Sequence, residues 1–157
     1  MAAMARFLVL VLLFAAGAAL ADEKLPHFAS LRADEVNLRA GPGERYPVRW
    51  VYQRKGLPVE VTAEFDVWRK IRDSEGTEGW VHQRMLAAQR SVVVKDAVRA
   101  LRGEPDAAAP IVARAEAGVV ARLVQCRAQW CEVETQGLKG WLQRSEVWGV
   151  FPDEAVP

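Results

Sequence analysis

Cysteine and histidine occur only twice each in the 157-residue chain, as Cys126, Cys131, His27 and His82. A structural zinc site takes four Cys, His or carboxylate ligands at short spacing; these residues show no such spacing, so no metal centre is expected. A surplus of one charge is also missing, because 21 Lys+Arg stand against 20 Asp+Glu and the two signs are interleaved throughout. A protein that neutralises many phosphates needs a basic excess, which sets nucleic acid aside as a partner. The chain beyond its N-terminus has no sustained 3.6-residue apolar period with caps, so helix longer than a single turn is not expected.

The one long apolar run, residues 7–20, is too short for a bilayer, which takes roughly 20 such residues. It follows Arg6, ends in Ala19-Leu20-Ala21 and has no basic flank behind it. That pattern is a secretory signal peptide over 1–21, cleaved before Asp22, with a retained membrane anchor as the alternative. Losing Arg6 leaves the 20 acidic side chains balanced by as many basic ones, and no membrane span remains in the mature chain. Localisation is then periplasmic or secreted, an oxidising setting in which paired cysteines normally bond. A Cys126–Cys131 disulfide follows, the alternative being two buried thiols.

Catalysis needs a nucleophile beside a base and an oxyanion donor. With both cysteines bonded, neither histidine has a nucleophile to activate, and Ser30, Ser74, Ser91 and Ser145 lie in no Gly-x-Ser-x-Gly context. The chain reads as no enzyme, with no cofactor.

What is present is a repeat. With Trp68 laid on Trp130, Val36 falls on Val98, Gly41 on Gly103, Gly56 on Gly118 and Ile71 on Val133; one deletion later, Gly79-Trp80-Val81 falls on Gly140-Trp141-Leu142. Tryptophan and glycine coincide in order, so one module occurs twice. Val59, Val61, Ala63 and Phe65 alternate with polar residues as a half-buried strand does. Asp73-Ser74-Glu75-Gly76 has the composition of a type I turn, joining a strand near Trp68 to one near Val81. Modules of about 60 residues are marginal alone, so the two should lean on each other. The apolar residues of "EVWGVFPDE", Trp148, Val150 and Phe151, should pack on one or both of them.

The motifs "NLRAGPG", "KGLPVEV" and "VWRKIRDSEGTEGWVHQRML", in that order, resemble a bacterial Src homology 3 domain. The second copy, with "ALRGEPD" in place of "NLRAGPG", resembles it more weakly, and the whole arrangement is similar to a small exported family of alphaproteobacterial type. The resemblance implies an all-β fold of two small SH3-like, partly open β-barrels in tandem, each of five or six strands with a long first loop. The organisation is then a signal peptide 1–21, an N-terminal linker 22–30, a first barrel 31–90, a divergent second barrel 91–149 and a C-terminal tail 150–157. Gly41-Pro42-Gly43 is expected to turn within the first loop, with positive φ at Gly43. A phosphate cradle would need a helix behind it.

The resemblance also implies a non-enzymatic binding module for a peptidoglycan-like or other cell-wall peptide, or for a peptide segment of another envelope protein. The alternative is a structural or assembly subunit of an envelope complex with no groove. Peptide grooves of such barrels are lined by aromatic side chains. The candidate ligand-binding residues are Tyr46, Trp68 and Trp80, with Arg39, Arg45 and His82 as polar neighbours. Because Trp68 and Trp80 recur in the second copy, as core or inter-strand packing would also produce, packing is the favoured role for these two.

Overall fold

The computed structural model describes residues 24–157; the signal-peptide reading of 1–21 lies outside them. The first seven strands are β1 His27–Leu31, β2 Val36–Arg39, β3 Val48–Tyr52, β4 Pro58–Phe65, β5 Trp68–Arg72, β6 Glu78–His82 and β7 Leu86–Ala87. The second seven are β8 Ser91–Val94, β9 Arg99–Arg102, β10 Ile111–Ala115, β11 Val120–Arg127, β12 Trp130–Thr135, β13 Leu138–Gln143 and β14 Val147–Trp148. Each set forms one antiparallel sheet, ordered β3-β2-β6-β5-β4-β1-β7 and β10-β9-β13-β12-β11-β8-β14. The two topologies are the same, two SH3-like open barrels in tandem. Helix among the described residues is confined to single 3-10 turns at Gln83–Met85 and Arg144–Glu146.

Each barrel has seven strands where five or six were expected. The strands flanking β4 and β11 at the far side account for the difference: β1 pairs with both β4 and β7, and β8 with both β11 and β14. Residues 22–30 are therefore not linker throughout; from His27 they enter the first sheet, with Phe28, Ala29 and Ser30 buried. The tail is likewise structural. Val156 is buried in the second core, and its carbonyl accepts the Cys126 N–H at 2.8 Å.

Alternation governs β4 only in part. Val59 and Val61 are fully buried, but the register slips between Val61 and Ala63, and Phe65 beyond it is 60% exposed. A bulge inserts one residue and turns the following side chains to the other face. The same slip occurs between Leu123 and Gln125 in β11. Past both bulges Glu64 faces Arg69, and Cys126 faces Cys131 in a disulfide with Cα atoms 4.1 Å apart. The 73–76 turn forms as expected, the Gly76 N–H donating to the Asp73 carbonyl at 3.1 Å.

Backbone hydrogen bonds correct the repeat alignment before the tryptophans. Arg39 Nη1 donates to the Tyr46 carbonyl and Arg102 Nη1 to that of Ala109, each at 2.9 Å, while Ala40 and Gly103 donate to Pro47 and Pro110. Val36 thus matches Arg99, not Val98, and Gly41 matches Glu104, not Gly103. One residue is missing from the second copy in the turn after Tyr52, in addition to the one before Gly140, since Gly56 and Gly118 then coincide, with φ of 82° and 83°. Tyr46, Trp50 and Tyr52 correspond to Ala109, Ala113 and Ala115.

The modules do lean on each other. Ser91 Oγ donates to the Gly56 carbonyl at 2.6 Å, and Arg54 Nη1 to that of Gly118 at 3.0 Å. The Phe28 ring meets Trp148 edge-on at 5.0 Å and Phe151 at 4.6 Å, under the Arg90 guanidinium. Arg90 is itself paired with Glu154 in the tail.

Candidate functional site

Register places most of the six candidate residues in one row. Arg39 is opposite Trp80, Trp80 opposite Lys70, and Trp68 opposite His82. Strand alternation sends Trp80 and His82 to the outer face of β6, because Val81 between them is fully buried.

The row is occupied with its own contacts. Trp68 is only 9% exposed and meets the His82 ring edge-on at 5.5 Å, so it does not face solvent. His82 Nδ1 accepts the Arg84 N–H at 3.1 Å and caps the 3-10 turn. Arg39 holds the first loop through the carbonyls of Glu44 and Tyr46. Arg45 lies over the Tyr46 ring at 5.2 Å. Tyr46 in turn lies against Gly41, where a Cβ would stand 2.5 Å from its Cδ1. That close approach explains Gly41, while Gly43 lacks the positive φ expected of it. The 41–43 segment is a turn, with Gly43 N–H donating to the Gly41 carbonyl. Trp141 and Arg102 form the same register pair in the second barrel.

The open cleft of the first barrel lies elsewhere and contains none of the six. It has a volume of about 560 Å³. One wall is β3 with Trp50, Val51 and Tyr52, the floor is Leu57, Pro58 and Val59, and the other wall is the turn of Asp73, Ser74, Glu75 and Thr77. Trp50 is 56% exposed, free to meet a ligand. Tyr52 is buried, and its hydroxyl donates to Asp73 Oδ2 at 2.9 Å, tying the two walls together. Asp73 Oδ1 accepts the N–H groups of Glu75 and Thr77, which fixes the turn. Burial, and then the bond to the Asp73 carboxylate, push the Tyr52 phenol far above its ordinary range. It is a neutral donor at any physiological pH.

The second barrel has the equivalent cleft, about 290 Å³ in volume, lined by Ala113, Ala115, Val119, Thr135 and Leu138 among others. Alanines stand where the first has Trp50 and Tyr52, and Thr135 where it has Asp73. The contrast was visible in the sequence as three aromatics confined to one copy. Their grouping with the 73–77 turn was not, since it depends on how the sheet curls. Among the described residues no cluster of three or more His, Cys, Asp or Glu is arranged to hold a metal ion, and no helix is long and apolar enough to cross a membrane.

The family model for the bacterial SH3 domain matches residues 32–87 and again 95–149, and the chain belongs to that family. No curated protein matches it. Among solved structures it is similar to NlpC1 and NlpC2 from Trichomonas vaginalis, each at 11% identity and a TM-score of 0.37. The alignments cover 80% and 78% of this chain but 46% and 48% of theirs, so the chain spans about half the length of those proteins.

Proposed function

We propose that the protein is an exported, non-enzymatic binding protein whose first barrel takes a peptide, from the cell wall or from a partner protein, in the cleft between Trp50 and the 73–77 turn. One observation carries this reading. The two barrels share topology, bulges, loop-holding arginine and outer tryptophan, yet the cleft aromatics Trp50 and Tyr52 of the first are alanines in the second. Features that hold the fold are needed twice; a ligand site is needed once. Aromatic walls with a few fixed polar groups suit an extended peptide, and export is supported by the disulfide and the family.

Titration of the mature protein with soluble wall fragments, followed by tryptophan fluorescence, tests it. Binding that Trp50→Ala removes and Trp80→Phe leaves intact is expected. Fragments and envelope-protein peptides that all fail to perturb Trp50 would overturn it. A second reading, assembly without a groove, is favoured by the exposed Ile111, Val112 and Leu138 of the second barrel, which form no part of the first cleft. Concentration-dependent association lost on Val112→Lys would point to it.

A further inference from the structure

A second cleft, of about 400 Å³, opens where the barrels meet and shares no lining residue with the first. Its apolar part includes Trp148 and Phe151 from the end of the chain, packed over the buried Phe28 of the first strand, with Val147, Val150 and Pro152 beside them. Its charged part is unbalanced. Glu60, the one carboxylate in the lining, is buried and taken by Arg72, whose Nε donates to it at 3.0 Å. Lys95 also lines the cleft, and its ammonium has no ion pair or hydrogen bond among the described residues.

Arg144 spends its donors on the carbonyls of Ala128, Phe151 and Glu154 at 2.7, 2.8 and 2.8 Å. Carbonyls satisfy a guanidinium's hydrogen bonds without cancelling its charge. The Glu154 carboxylate nearby is already held by Arg90. Three cations and one carboxylate therefore surround an aromatic surface, and the ammonium among them is unspent.

We propose that this junction binds the carboxyl end of a peptide, the terminal carboxylate on Lys95 and the last side chain against Trp148 and Phe151. One unpaired ammonium in this cleft matches a single carboxylate and not a polyanion. A cleft of this size holds one or two residues. Gln129 and Ser145, also in the lining, supply polar groups for the last peptide unit. The site is independent of the first-barrel cleft and goes beyond the function proposed for it.

The probe is acetyl-Gly-Ala-Phe as free acid, titrated into isotopically labelled mature protein, with its C-terminal amide as control. The free acid should shift the Trp148 indole and Lys95 amide resonances, and the amide should bind about tenfold more weakly, the loss of one charge-assisted contact. Lys95→Gln, which breaks no contact of the fold, should weaken the acid by a similar factor and leave the amide unchanged. Comparing L- and D-phenylalanine at the end of the probe separates a protein C-terminus from a wall peptide as the source. Acid and amide binding alike, shifts confined to the Trp50 cleft, or no shift from the free acid would each overturn the proposal.

Discussion

Cys126 and Cys131 face each other across β11 and β12 at the register positions that Glu64 and Arg69 hold across β4 and β5. One module closes this hairpin covalently, the other with an ion pair at 3.1 Å. A ring this short contributes about 2 kcal/mol in the loop-entropy model, and a single surface ion pair about 0 to 1. Reduction should therefore cost more than Glu64→Ala. Because the barrels share the Phe28 contacts, the loss will not appear as one barrel melting alone. Hydrogen exchange resolves it: on reduction the amides of β12 should exchange faster while those of β5 keep their rates. Equal acceleration in both hairpins would contradict the assignment.

The disulfide, the tandem repeat and the all-β class were legible because each rests on local signals: residue type, period-two strands and turn residues. The repeat lays Cys126 on Glu64 and Cys131 on Arg69, so the covalent copy gives the register of the charged one. The first third of the repeat was not legible, because anchoring on Gly41 and Gly103 hid an earlier deletion, in the turn after Tyr52. The shared Leu-Arg of "NLRAGPG" and "ALRGEPD" was the signal for the right alignment. The linker reading failed at His27 because Phe28 is buried by Trp148 and Phe151, more than a hundred residues away in sequence. The open cleft beside Trp50 was hidden for a related reason. Trp68 and Trp80 recur as Trp130 and Trp141, whereas the cleft brings Trp50 to the 73–77 turn only through the curl of the sheet.

Trp50 and Trp68 should separate binding from stability. Trp50 is 56% exposed and Trp68 9%. Trp68→Ala should cost about 3 to 5 kcal/mol, as large aromatic truncations in a core do. Trp50→Ala should change stability by no more than about 0.5 kcal/mol while removing the response to wall fragments. Chemical denaturation of both variants checks the first half, and titration of the folded Trp50→Ala protein checks the second.

Acid should loosen the junction through Glu154. Burial disfavours its charged form, but the Arg90 hydrogen bonds, the Phe151 N–H and the charges of Arg90 and Arg144 outweigh this and hold the carboxyl below its ordinary 4.5. A carboxyl lowered by folding contributes stability above its unfolded value and loses it as pH falls through the folded one. Glu154→Gln should be less stable than the parent by about 1 to 2 kcal/mol near neutral pH. That gap should close as the pH drops below 4.5, and denaturation curves across this range measure it. A gap that stays constant would show that Glu154 does not act through its charge.

Alkali should act on the first cleft through Tyr52, with the opposite sign. Burial and the bond to Asp73 raise the phenol well above its unfolded value of 10.0, so the folded state keeps a proton that the unfolded state gives up. The contribution is complete below pH 10 and is lost as pH rises above it, by at most about 1.4 kcal/mol per unit. The chain has two tyrosines, and Tyr46→Phe leaves Tyr52 as the only one. In that variant, phenolate absorbance should appear only as the fold opens, in step with the loss of far-ultraviolet circular dichroism. Adding Tyr52→Phe should cost about 1 kcal/mol at neutral pH, since Asp73 Oδ2 loses its donor, and should flatten the alkaline decline. Phenolate forming near pH 10 with the sheet signal intact would mean that Tyr52 is open to solvent, and that the Trp50 wall and the 73–77 turn are not tied together as the cleft requires.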